Sequence, residues 1–170
     1  MSVHYPPYLA RPGGPLARSP GRDALRSAAL HESSHSVVGE ALGYRTGRIR
    51  IDGRGGGGYR RAADGRGGPT PAVVLIAGQV GAKLLAEDGP QFRLRHEGDD
   101  AQIREATGGR RDLRDAAERE ARNILLCHRK SVRAIAERLL AVGTLEGAEL
   151  DELLLPVRTE YVRRFVKGAA

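Results

Sequence analysis

The chain is poor in aromatic residues, with two Phe, five Tyr and no Trp in 170 residues. Its core is therefore expected to be built from Leu, Ile, Val and Ala, within an apolar fraction of 40% that is enough for a packed domain. Cysteine is nearly missing too. Cys127 stands alone, so no internal disulfide can staple the fold, which fits a reducing compartment. Long apolar runs are absent. The longest, Ala72 to Ala77, is far short of the ~20 residues that cross a bilayer. The opening MSVHYPPYLARPGG lacks the apolar segment of a signal peptide. The expectation is a soluble, cytoplasmic protein with no transmembrane segment.

Positive charge is in excess: 28 Lys+Arg against 21 Asp+Glu give a net charge of +7, carried mostly by arginine. The arginines are spread along the chain and accompany no nucleic-acid-binding module. They read as a solvated basic surface, and nucleic acid is not an expected partner.

Residues 1–22 hold five prolines and read as an extended, flexible arm. Residues 23–168 read as one domain. A helix is expected from Asp23, as N-cap, to a stop at Gly43. Arg48 to Asp52 alternate as a short strand. The Gly-rich stretch 53–68 reads as a loop with an edge strand around Tyr59. Pro71 opens a buried apolar helix over 72–87, and 91–99 read as loop. From Asp112 the apolar spacing predicts one long helix ending near Gly143. A short helix follows from Thr144 or Glu146, broken by Pro156, and a last helix runs towards Lys167. The fold class is thus α+β and predominantly α-helical, with a small β element and a C-terminal helical bundle.

Within the first helix stands His31-Glu32-Ser33-Ser34-His35, an H-E-x-x-H motif. Residues four apart on a helix share a face one turn along, so both imidazoles can reach one Zn2+. Glu32, between them, is placed to act as general base on a zinc-activated water. Small Ser33 and Ser34 suit a helix packed closely under such a site.

A catalytic zinc takes three protein ligands and leaves one position open. The candidates for the third are His4, Asp52, Asp64, His96, Glu97, Asp99, Asp100 and His128. His4 lies in the Pro-rich arm, and His128 sits on the apolar stripe of the long helix as a packed histidine. The cluster His96-Glu97-Gly98-Asp99-Asp100 is the best source, with Asp99, Asp100 and His96 all open on spacing alone.

In order along the chain, several segments resemble the peptidase domain of FtsH-type ATP-dependent zinc proteases. Ala29-Leu30-His31-Glu32-Ser33-Ser34-His35-Ser36-Val37-Val38 is similar to that family's A-x-H-E-A-G-H-A-V-V helix. Ile49-Arg50-Ile51-Asp52-Gly53-Arg54, with Gly57-Gly58-Tyr59, resembles its I-x-P-R-G strand and L-G-Y segment. Leu75-Ile76-Ala77-Gly78-Gln79-Val80 is similar to its buried helix, and Gly98-Asp99-Asp100-Ala101-Gln102 to its A-S-N-D-L-x-x-A segment. Thr144-Leu145-Glu146-Gly147 with Leu150 resembles its E-T-L-x-G-x-E-L ending. The resemblance covers roughly residues 23–155. It implies a zincin-like fold, Zn2+ held by His31, His35 and the aspartate of the third segment, and assembly into homo-oligomeric rings. Its register puts Asp100 on the third ligand, with Asp99 as the alternative. The sequence departs from the family in lacking a G-x-x-x-x-G-K-[ST] phosphate loop.

The function expected is a zinc metalloendopeptidase acting on unfolded or flexible protein segments, served by a separate ATPase unfoldase or by substrates already flexible. An extended substrate is expected to pair with an edge strand, with Ile49, Ile51 and Tyr59 as substrate-binding residues. The alternative is a catalytically weak or inactive zinc-binding module of the same fold, with a regulatory or protein-interaction role. A zincin with a glutamate third ligand, from Glu105, Glu118 or Glu120, is a third reading.

Overall fold

The computed structural model describes residues 21–53, 55–62, 70–86 and 97–161. The expected arm up to residue 20, the Gly-rich stretch 63–69, His4, Asp64, His96 and the C-terminal end from 162 lie outside the described residues. The described chain is predominantly helical, with six helices and one three-stranded antiparallel sheet. Among the described residues no helix is long and apolar enough to cross a membrane.

Helix α1, Arg22–Ala41, is the axis of the fold, and every residue from Ala28 to Glu40 is buried. Gly21, not Asp23, holds its N-cap, and Asp23 sits in the first turn, where a carboxylate complements the helix dipole. Gly43, at φ 81°, terminates it as expected. A helix enclosed on all sides is normally apolar, yet α1 carries HESSHS through its middle. Two of its serines are satisfied: Ser34 Oγ donates to the Leu30 carbonyl one turn back (2.6 Å), and Ser36 Oγ donates to Thr46 Oγ1 of the following strand (3.2 Å).

Strands β1, Thr46–Ile51, and β2, Gly57–Arg61, form an antiparallel hairpin. Asp52 closes it: its Oδ1 accepts from Gly56 N and its own N–H donates to Gly56 O, both at 2.8 Å. Strand β3, Thr144–Glu146, pairs on the other side of β1, giving the order β2-β1-β3. Ile49 lies opposite both Tyr59 and Leu145.

Helix α2, Ala72–Leu85, packs on α1 through small residues. A Cβ on Gly81 would overlap the Ser34 side chain, so the two backbones approach as closely as glycine allows. Helix α3, Glu97–Thr107, packs on α2 and begins inside the stretch 91–99 expected as loop, of which 91–96 lie outside the described residues.

The long helix expected from Asp112 is two: α4, Arg111–Cys127, and α5, Arg129–Val142, broken at His128 (φ −106°, ψ 20°). Their buried stripes share one periodicity, but α4 packs on α2 while α5 packs on α1. A straight helix cannot follow both, so the chain turns at His128. The residues after Gly143 make β3 rather than helix, and Gly143, at φ 75°, ends α5. Helix α6, Gly147–Tyr161, runs through Pro156 instead of breaking there. Both Pro156 and Glu152, whose carbonyl loses its N–H partner, are exposed, so solvent covers the loss.

Candidate metal centre

The site forms where α1, α2, α3 and β2 meet. His31 and His35 are one turn apart on the buried length of α1, 2% and 5% exposed. Val74, in the first turn of α2, fixes the second ring: its carbonyl accepts from His35 Nδ1 at 2.7 Å. That bond assigns the tautomer, so in the neutral ring Nε2 carries a lone pair into the site. His35 Nε2 lies 2.9 Å from His31 Nε2. Asp99 Oδ2, from α3, lies 2.8 Å from His31 Nε2 and 3.7 Å from His35 Nε2.

Two imidazole nitrogens and a carboxylate oxygen thus converge within 4.8 Å of one another. Three lone-pair-bearing atoms packed this closely need positive charge between them, either protons or a metal ion. Ligands about 2.0–2.1 Å from a tetrahedral centre lie about 3.3 Å apart, a separation the observed distances bracket. Gly78, one turn after Val74, leaves room at the same point. A Cβ there would come within 2.5 Å of His31 Nε2 and collide with His35 Nε2. The residues therefore fit a metal ion with two N and one O ligand.

Electrostatics follow the geometry. Burial opposes charge on His35, but the Asp99 hydrogen bond, the nearby Glu32 charge and the Val74 carbonyl outweigh it and raise the pKa. Burial pushes the Asp99 carboxyl upward, but the hydrogen bonds from His31 and His35 overcome this and hold it well below the usual carboxylate range.

Glu32 is different. It is 7% exposed, backed by Gly57 of β2, where a Cβ would overlap its carboxylate. Burial pushes its pKa from 4.5 up to about 7; His35 and Arg50 oppose the rise and the Asp99 charge adds to it. Among the described residues its carboxylate has no hydrogen-bond partner. Tyr59 of β2 walls the site by stacking on His35, with ring centroids 5.7 Å apart.

The preference between neighbouring aspartates is corrected. Asp99, not Asp100, joins the histidines, while Asp100 accepts from Gln79 Nε2 at 3.0 Å and lies 3.6 Å from Arg114 on the exposed side of α3. The signal is in the sequence. Asp99, Ile103 and Thr107 fall four apart on one helix face, and Ile103 and Thr107 are buried (0% and 4%).

Of the other candidates, Asp52 is used in the β1–β2 turn. His128 lies 3.5 Å from Glu160, and Glu105, Glu118 and Glu120 are exposed; none of them joins the His31, His35, Asp99 group.

The three residues expected to bind substrate are placed differently: Ile49 and Ile51 on the central strand β1, Tyr59 on the edge strand β2. Ile49 is fully buried in the central strand, and Ile51 on the same strand donates its N–H to Gly143 O at 2.9 Å, so neither lies on an open sheet edge. Tyr59 lies on edge strand β2, but its ring supports His35 from within. Val74 and Gly78 belong to no motif; a glycine inside an apolar helix is the one sign of close packing that the sequence offers there.

No protein-family model matches the sequence, and a search of curated proteins returns no match.

Proposed function

We propose that this protein is a zinc-dependent metallopeptidase of the FtsH-type peptidase class, with His31, His35 and Asp99 holding the metal and Glu32 as general base. The observation that carries the reading is the pairing of two features on adjacent residues. A His-His-Asp convergence stands beside a buried carboxylate that no other described residue hydrogen-bonds. A purely structural zinc site closes its fourth position with another protein ligand and gains nothing from such a neighbour. The donor set, two imidazoles and one carboxylate, suits Zn2+.

When bound, Zn2+ supplies a Lewis acid that makes water acidic near pH 7 and polarises a carbonyl. Glu32, whose proton affinity is pushed to about 7, accepts a proton from the attacking water and returns it to the departing amine. Val74 and Tyr59 hold the His35 ring in place. The sheet edge at β2 offers backbone groups to an extended substrate, which orders a flexible segment beside Glu32 without reading its sequence. Such substrates are flexible already or made so by a separate ATPase.

Casein cleavage tests this. Hydrolysis is expected to stop with chelator, return with added zinc, and fall at least about a hundredfold in Glu32→Gln with zinc content unchanged. Chelator-resistant cleavage, or equal turnover by the variant, overturns the assignment.

A further inference from the structure

Two arginines on the outer face of the hairpin bear on which substrates this site takes. Side chains alternate along β2: Gly57 and Tyr59 face α1, whereas Gly58 and Arg60 face outward. On β1, Arg48 lies opposite Arg60 and Arg50 opposite Gly58. Arg48 is offset by Glu146 of β3, 3.4 Å away. Arg50 and Arg60 are both exposed, and among the described residues neither has a hydrogen-bonded or salt-bridged partner.

Gly58 decides where Arg50 goes. A Cβ at Gly58 would sit 3.6 Å from Arg50 Nε and 3.9 Å from its Cγ. The Arg50 side chain thus lies across the strand where a side chain at 58 would stand, towards the edge of β2. Arg60 rises from the same strand two residues on. Like charges on diagonal and opposed positions of a sheet repel. Among the described residues Arg48 is offset by Glu146 and Arg50 only in part by the Glu32 charge, which leaves a net cationic edge next to the strand that backs Glu32.

The geometry points to Arg50 and Arg60 as a docking edge for acidic polypeptide segments, so that the peptidase selects extended substrates carrying Asp or Glu beside the bond it cuts. This rests on the peptidase reading above. A strand added along β2 places alternate side chains on the outer face, within reach of both guanidiniums. Carboxylates there gain charge-assisted, bidentate contacts, and the basic edge raises their encounter rate. A peptide is favoured over nucleic acid because the arginines flank a strand edge, which pairs with polypeptide backbone.

The test separates binding from catalysis by using the full-length Glu32→Gln chain. Its affinity is measured by fluorescence anisotropy for a labelled peptide of alternating Glu and Val, for its Gln-for-Glu counterpart and for single-stranded DNA. The acidic peptide is expected to bind about three- to tenfold more tightly than the neutral one, less so as salt is raised. Arg50→Gln combined with Arg60→Gln is expected to erase that preference. Equal binding of the two peptides, or an acidic preference that survives both substitutions, overturns the proposal. Tighter, Arg50- and Arg60-dependent binding of DNA overturns it in favour of a nucleic-acid surface. Cleavage of the two peptides by the unsubstituted chain is a separate readout. An Arg50- and Arg60-dependent preference without cleavage sinks the peptidase reading but leaves the acidic edge, and equal cleavage of both peptides does the reverse.

Discussion

Helix α1 buries two glutamates, Glu32 and Glu40, eight positions apart on one helix, and the fold treats them in opposite ways. Glu40 is fully engaged. Its Oε1 accepts from Thr46 N at 2.6 Å, and Arg158 of α6 binds it through Nε at 2.7 Å and Nη2 at 3.1 Å. Arg158 also reaches Asp151, at 2.6 Å, and these neighbours raise its own pKa against the opposing effect of burial. Glu32 is about as deeply enclosed, yet nothing among the described residues hydrogen-bonds it, and its pKa rises to about 7. The first carboxylate ties α1 to β1 and α6. The second keeps a proton affinity suited to transfer near neutral pH. A buried acid with every oxygen engaged is an anchor, whereas one that no described residue hydrogen-bonds, beside a His-His-Asp cluster, is what the proposed general base requires.

Substitutions can sharpen that contrast. The largest expected effect is at the anchor. Arg158→Ala strands the Glu40 charge, whose side chain is 1% exposed, and should cost about 3 kcal/mol in denaturant unfolding. A loss below about 1 kcal/mol would mean that solvent or Asp151 rearrangement replaces the guanidinium. The reactive end should respond with the opposite sign. The folded-state pKa of Glu32, about 7, is above its unfolded value of 4.5, so the fold favours the neutral acid. Wild-type stability from this group is complete below pH 4.5 and is lost as pH rises through 7. In chelator-treated protein, Glu32→Gln should therefore be more stable than wild type at pH 8, by on the order of 3 kcal/mol at most, with the difference vanishing below pH 4.5. A variant that is less stable at pH 8 would place Glu32 among the anchors.

Much of this arrangement is legible in the sequence, because local rules govern it. The H-E-x-x-H helix, its glycine stop, the hairpin and the apolar α2 follow from periodicity and turn residues. What escapes is decided by packing partners. The break at His128 has no local breaker and arises because α4 and α5 lie on different helices. The continuation through Pro156 depends on solvent reaching one carbonyl, which spacing does not reveal. Asp99 and Asp100 differ by about 100° of helix rotation, so a register off by one points to Asp100, whereas Asp99 is the one that meets the histidines. The buried positions Ile103 and Thr107 settle it, once α3 is known to begin at Glu97. Glu40 has no local signature, because its partner lies 118 positions away.

The proposed chemistry depends on the His31, His35, Asp99 centre, and zinc content by elemental analysis tests that centre most directly. Wild type and Asp100→Ala, purified with zinc present, should each carry one zinc per chain, and Asp99→Ala should carry little or none. A full equivalent in Asp99→Ala, or none in wild type, would contradict the assignment.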